Sequence, residues 1–161
     1  MLRRRNLIVA ATAFLLGLLA ALLYLREPTT PLTQEALAQA RQRWRNAGIH
    51  SYRATYRMHG SLYEVEVRGG LVAAINVNGQ TPSIAQPSAY SIDGLFDTLQ
   101  TELENIADSS NPLGTDPGNV VARVRFDDRL GYPQRYIRGG AGLSRGSTLE
   151  MLEFHPALSE P

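Results

Sequence analysis

The chain has 161 residues, 43% hydrophobic and 19% charged, with sixteen arginines, no lysine and fifteen acids, for a formal net charge of +1. That length allows one compact domain plus an appendage, and the charge balance lacks the basic excess of a surface that neutralises phosphates, so nucleic acid is not an expected partner. Cysteine is absent, which excludes disulfides, thiolate nucleophiles, thiolate metal sites and lipid attachment at a cysteine.

Residues 1–26 read as a cytoplasmic stub and membrane anchor. Three arginines, Arg3, Arg4 and Arg5, precede an uncharged run from Leu7 to Leu25, and Arg26 and Glu27 close it. As a helix this run would be roughly 28 Å long, enough to cross the hydrocarbon core and beyond the apolar region of a signal peptide. The arginine asymmetry places the N-terminus in the cytoplasm and the remainder outside it, so the expected location is a bacterial inner membrane crossed once, with a periplasmic C-terminal domain. The alternative is a cleaved signal. No small-residue cleavage site follows the run; the first Ala-x-Ala matches are Ala36 to Ala38 and Ala38 to Ala40, and their use would give a mature N-terminus near Gln39 or Arg41. Without Arg3, Arg4 and Arg5, thirteen arginines face fifteen acids, a net charge of −2.

Residues 27–32 carry Pro28 and Pro31 and are expected to form a short, stiff spacer, leaving 33–161 as the folded domain. Thr33 predicts the N-cap of a helix through Ala47, with Leu37, Ala40 and Trp44 on one stripe and Gly48 as its stop; Trp44 is read as core. From Ser51 the period changes to alternation. Tyr52, Ala54, Tyr56 and Met58, then Tyr63, Val65 and Val67, define the buried side of a hairpin around His59-Gly60. A two-residue turn there sets Arg53 opposite Glu66, Thr55 opposite Glu64 and Tyr56 opposite Tyr63. Gly69-Gly70 leads into a third strand, Leu71 to Val77, whose register is open: a two-residue turn points Val72, Ala74 and Asn76 inward beside Val67, whereas Leu71, Ala73, Ile75 and Val77 form the more apolar set, which leaves a longer loop or a bulge as the alternative.

A loop over 80–90 precedes a second helix capped by Ser91 and running to about Ala107, with Ile92, Leu95, Phe96, Leu99, Leu103 and Ile106 on one stripe. After a turn-rich stretch, Val120 to Phe126, Gln134 to Arg138 and Thr148 to Phe154 read as three more strands, with a mobile glycine-rich loop over 139–146. The expected class is α+β in a single sheet-plus-helices domain: helix, three-stranded antiparallel meander, helix, then three further antiparallel strands, with the helices packed on one face.

Several motifs together resemble a bacterial family of uncharacterised, lipoprotein-like periplasmic domains. They are Trp44, Ser51-Tyr-Arg53, Val65-Glu-Val-Arg-Gly-Gly70, Tyr90-Ser-Ile-Asp-Gly-Leu-Phe-Asp97, and Phe126-Asp127 with Gly131-Tyr-Pro133. The resemblance spans roughly residues 44–155 and implies a fold but no activity. Many such proteins carry a lipidated cysteine and several a cysteine pair near the first turn; this chain has neither, and Met58-His-Gly-Ser61 occupies the turn.

The candidates for chemistry are few. His50, His59 and His155 lack close ligand spacing, so no metal and no cofactor is expected. Adjacent Asp127 and Asp128 would point to opposite faces of a strand and are read, with Gly131 and Pro133, as a hairpin connection. Asp127, Tyr132 and Arg135 are kept as candidate binding residues. Ser144 to Ser147 lacks the Gly-Lys-Ser/Thr of a phosphate loop, and no Gly-x-Ser-x-Gly elbow is present. Glu64, Glu66 and Arg68 beside Arg53 and Arg57 are either a recognition surface or a solvated sheet face. The sequence therefore favours a non-enzymatic, membrane-anchored domain that binds a protein partner or serves a membrane or envelope complex. A domain binding a small ligand between sheet and helices is second, and a hydrolase using Asp127, Glu153 and His155 is third.

Overall fold

A computed structural model describes residues 29–107, 120–140 and 148–157. The apolar run at 7–25 lies outside these residues; among those described, no helix is long and apolar enough to cross a membrane. In chain order the elements are β1 (Thr30–Pro31), α1 (Gln34–Ala47), β2 (Tyr52–Met58), β3 (Ser61–Arg68), β4 (Leu71–Val77), a single 3-10 turn (Pro87–Tyr90), α2 (Ile92–Ala107), β5 (Val120–Phe126), β6 (Pro133–Gly140) and β7 (Thr148–Pro156).

The strands form one antiparallel sheet in the order β1-β5-β6-β7-β2-β3-β4. The β2-β3-β4 meander meets the three later strands through β7, which returns to pair with β2, Ala54 against Phe154 and Met58 against Leu149. The segment expected to be a spacer is also part of the fold from residue 30. Thr30 and Pro31 pair with Val124 and Arg123, and Leu32 donates its N–H to the Ala122 carbonyl and is buried. Pro31 is tolerated there because a sheet edge asks for no second ladder bond. The glycine-rich segment is strand as far as Gly140, and the rest of it lies outside the described residues.

Local chemistry explains the helix ends. The Thr33 hydroxyl accepts from the Ala36 N–H at 3.1 Å, and Gly48 takes φ 61° to close α1 on the Arg45 carbonyl. Ser91 Oγ accepts from the Gly94 N–H at 3.1 Å and donates to the Ser88 carbonyl at 2.7 Å, tying α2 to the turn before it. Gly94 must be glycine. A Cβ there would lie 2.6 Å from the Ala89 Cα, so the 3-10 turn can cross α2 only where no side chain stands.

The hairpin register is the expected one: Arg53 faces Glu66, Thr55 faces Glu64, and Tyr56 faces Tyr63. His59 and Gly60 take φ of 51° and 83°, the double positive φ of a two-residue hairpin turn. The open register of β4 resolves as a bulge. Gly69-Gly70 makes the tight turn, so Val72 lies opposite Val67, and the extra residue Ala73 then lets Ile75 and Val77 face inward opposite Val65 and Tyr63.

Both helices cover one face of the sheet. Leu37, Ala40 and Trp44 of α1 and Ile92, Leu95, Phe96 and Leu99 of α2 join Tyr52, Ala54, Tyr56, Val65, Val67, Ile75, Val124, Tyr136 and Leu149 of the strands in one core. Trp44 is buried as expected, edge-on to Tyr52 and Phe154 at centroid distances of 5.6 and 5.9 Å. At about 25 cal/mol per Å² of apolar surface removed from water, burial of such side chains is the main stabilising term for a chain without disulfides.

Candidate functional site

The candidate residues Asp127, Tyr132 and Arg135 are not brought together as one surface. Asp127 Oδ1 accepts from the backbone N–H groups of Arg129 and Leu130 at 3.0 and 2.6 Å, its Oδ2 accepts from the Gln134 amide at 3.0 Å, and its own N–H donates to the Tyr132 carbonyl. Its carboxylate is engaged in building the connection. Tyr132 turns inward and stacks on Phe154 at 4.5 Å, and burial pushes its phenol up. Arg135 stands on the other face of β6, because its neighbour Tyr136 is buried; across the ladders it lies opposite Arg125 and Glu150.

The histidines are likewise dispersed. His50 and His59 are exposed at a junction and a turn, and His155 Nε2 lies 3.6 Å from a Glu153 carboxylate on the outer face. Among the described residues no three His, Asp or Glu side chains converge on a common point. Asp127 is occupied in its own turn, apart from the Glu153–His155 surface pair.

Two arrangements among the described residues bring polar side chains to a groove or cavity near the core of the sheet. The first is the face of the sheet opposite the helices. The row Glu153, Thr55, Glu64, Asn76 crosses β7, β2, β3 and β4, and beside it runs His155, Arg53, Glu66, Ala74. A shallow groove of about 210 Å³ follows these rows, lined by Arg53, Thr55, Glu64, Glu66, Ala74 and Asn76. Glu66 is held by Arg68 at 2.8 Å and Arg53 at 3.5 Å, and the hydrogen bond from Arg68 is the main cause that keeps its carboxyl below the usual range. Glu64, between Thr55 and Asn76, has no ion-pair partner among the described residues.

The second is a cavity of about 70 Å³ between α2 and the β6-β7-β2 part of the sheet, lined chiefly by Met58, Leu95, Leu99, Pro133, Tyr136 and Leu149. Glu102 stands at its rim, accepting from the Tyr136 hydroxyl at 3.1 Å and pairing with Arg138 at 3.1 Å, with both partners of the ion pair largely buried. Burial, and then the Glu102 charge, drive the Tyr136 phenol far above its ordinary value. Sequence reading missed this group. Glu102 is one of several polar residues on α2, and nothing in its spacing points to residues on β6 some thirty positions away.

The motifs that carried the family resemblance are structural in this geometry. Tyr52 accepts the Ile92 N–H at 2.7 Å and the Tyr56 hydroxyl donates to the Tyr90 carbonyl at 2.8 Å, so β2 fixes the start of α2. Gly131, with φ 84°, lies directly against α1 at Ala40. These contacts define an α+β domain of two helices on one antiparallel sheet.

The chain belongs to DUF6174, a family of unknown function, whose model matches residues 36–137. No curated protein and no solved structure matches the chain. The matched range runs from within α1 to within β6 and so includes each motif just described up to Pro133.

Proposed function

We propose that this protein is a single-pass inner-membrane protein, N-terminus in the cytoplasm, whose domain on the periplasmic side binds a protein partner as a non-enzymatic accessory subunit. The observation that carries the reading is a sheet face that no element among the described residues covers. Both helices lie on the same side, and the opposite side offers a flat, polar, strand-built surface with the groove around Glu64. Interleaved surface charges contribute little to folding stability, which leaves this composition free to serve recognition. The Glu64 carboxylate, which has no ion-pair partner among the described residues and lies between two neutral polar residues, suits a basic group on the partner.

The support for the anchor is the uncharged run from Leu7 to Leu25 and the arginine asymmetry around it. The test is capture of the tagged full chain from membranes in mild detergent. One protein recovered in fixed stoichiometry, and lost on charge reversal by Glu64→Arg, supports the reading. Recovery unaffected by that reversal, or no recovered protein, contradicts it.

The small-ligand reading is favoured by one observation, the cavity with Glu102, Tyr136 and Arg138 at its rim. Its size weighs against most ligands: ligand pockets run to several hundred Å³, and a cavity of about 150 Å³ is what benzene needs. It suits a group of a few heavy atoms. Thermal stabilisation of the full chain by short-chain alcohols or acids, abolished when Leu99→Phe fills the space, would support it.

A further inference from the structure

The face of the sheet opposite the helices is unevenly charged. Val124 and Tyr136 are buried under the helices, so Arg123 and Arg125 of β5 and Arg135 of β6 stand on the other side, together with Val121 and Ile137. The strands β1, β5 and β6 contain no acid at all. From β7 to β4 the balance reverses: Glu64, Glu66, Glu150 and Glu153 on this face outnumber Arg53, Arg57 and Arg68. The connection between β5 and β6 brings Asp127, Asp128 and Arg129, and the Asp127 carboxylate is turned onto its own backbone. Arg125 also lies directly opposite Arg135 in the ladder. Like charges so placed cost stability, a cost that an anion bound at this face would offset.

This basic part is where the chain enters the domain. Thr30 pairs with Val124, and Arg123 donates to both the hydroxyl and the carbonyl of Thr29. Thr29 is four residues beyond Leu25, the last of the uncharged run. At no more than about 3.6 Å per residue, those four reach roughly 14 Å. With Leu25 at the hydrocarbon boundary, a headgroup layer of about 5–7 Å takes up part of that reach. The β1-β5 edge is then held within about a Debye length, roughly 8 Å at physiological salt, of the lipid charges.

We infer that the β5-β6 part of this face rests on anionic phospholipid headgroups of the membrane that holds the chain. The inference depends on the anchor reading above and not on the protein partner. Reach and charge together select this occupant, because tethering presents the lipid phosphates to a cationic surface at high effective concentration. Arginine forks match phosphate oxygens bidentately, and Val121, 56% exposed beside them, adds an apolar contact at the interface. Neighbouring strands are rotated by about 20–25°, so the four steps from β5 to β3 turn the face by roughly 80–100°. The groove at Glu64 is thereby directed away from the lipid surface and stays accessible.

The test uses the full chain in vesicles. Cysteine is absent, so Val121→Cys and, as a control on the same face of β4, Ala74→Cys can each carry a single fluorophore at an exposed position. One set of vesicles is phosphatidylcholine alone and the other contains about 30% phosphatidylglycerol, each with a trace of lipid spin-labelled at its headgroup. Quenching at position 121 should be at least about twofold stronger in the anionic vesicles. It should fall to the neutral level in about 0.5 M salt, where the screening length is roughly 4 Å, and position 74 should respond to neither change. Arg135→Gln should reduce the quenching at 121 in the anionic vesicles. Quenching at 121 that only matches position 74, that ignores the lipid charge, or that survives Arg135→Gln unchanged would each overturn the inference while leaving the anchor in place. A chain that alkaline carbonate strips from both kinds of vesicle would overturn the anchor reading, and this inference with it.

Discussion

Gly131, in the connection between β5 and β6, packs against the backbone carbonyl of Ala40 in α1, so that any Cβ at 131 would overlap that oxygen and crowd the Arg43 Cβ at 2.9 Å. Its φ of 84° independently disfavours a side chain. Gly131→Ala is therefore expected to cost about 2–4 kcal/mol, overpacking added to left-handed strain. Gly139→Ala, with open space around it and no positive φ, should be near neutral. Urea midpoints of the two variants check the contrast; a Gly131→Ala chain as stable as the parent would remove the helix contact from the account.

Tyr52→Phe removes the acceptor of the Ile92 N–H in the buried start of α2. The orphaned amide should cost about 1–3 kcal/mol at neutral pH. Ser91→Ala, which removes the cap of the same helix, should cost about 1 kcal/mol.

Alkaline pH should unfold the domain through the same tyrosine. Burial raises the Tyr52 phenol from 10.0 to about 12, and also raises Tyr56 and Tyr136. A folded-state value above the unfolded one gives stability that is complete below pH 10 and lost as the pH rises toward 12, by up to roughly 3 kcal/mol for Tyr52 alone. Chemical denaturation at pH 8, 10 and 11.5 should show this decline, and Tyr52→Phe, weaker at pH 8, should lose less across the range. A parent chain equally stable at all three values would contradict the assignment.

Glu102→Gln breaks the ion pair with Arg138 and leaves a largely buried guanidinium without its counter-charge. A loss of about 1–3 kcal/mol is expected, less than for a fully buried pair because both side chains keep some solvent. Glu66→Gln on the outer face, by contrast, should leave the thermal midpoint unchanged, since its partners Arg53 and Arg68 are exposed.

What the sequence could reveal was what short-range physics determines. The β2-β3 register followed from alternation plus a two-residue turn, because a slip by one would invert every side chain. Ser91, Thr33 and Gly48 were legible as helix punctuation, and Asp127 as the organiser of its own turn. The bulge at Ala73 was legible only as a conflict between two apolar sets, since alternation cannot say where an extra residue sits. The pairing of β2 with β7 was not legible, because nothing near Ala54 specifies Phe154. Two prolines concealed β1, whose hold on the domain comes from Leu32 and two residues of ladder. Tyr132 and Arg135 looked like neighbours on one surface, but Tyr136 is buried, which sends Arg135 to the outer face while Phe154 draws Tyr132 inward. The Glu102-Tyr136-Arg138 group depends on how α2 lies on β6, which no local pattern encodes.

Recognition of a protein partner by the sheet face opposite the helices, as proposed, is open to one direct measurement. A photo-activatable residue placed at Thr55, between Arg53 and Glu64 on that face, and separately at Gln42 on α1, tests it in the full chain within its own membrane. Partner binding at this face gives a discrete cross-linked adduct from position 55 and none from position 42. An adduct from position 42 alone, or from neither, would contradict it.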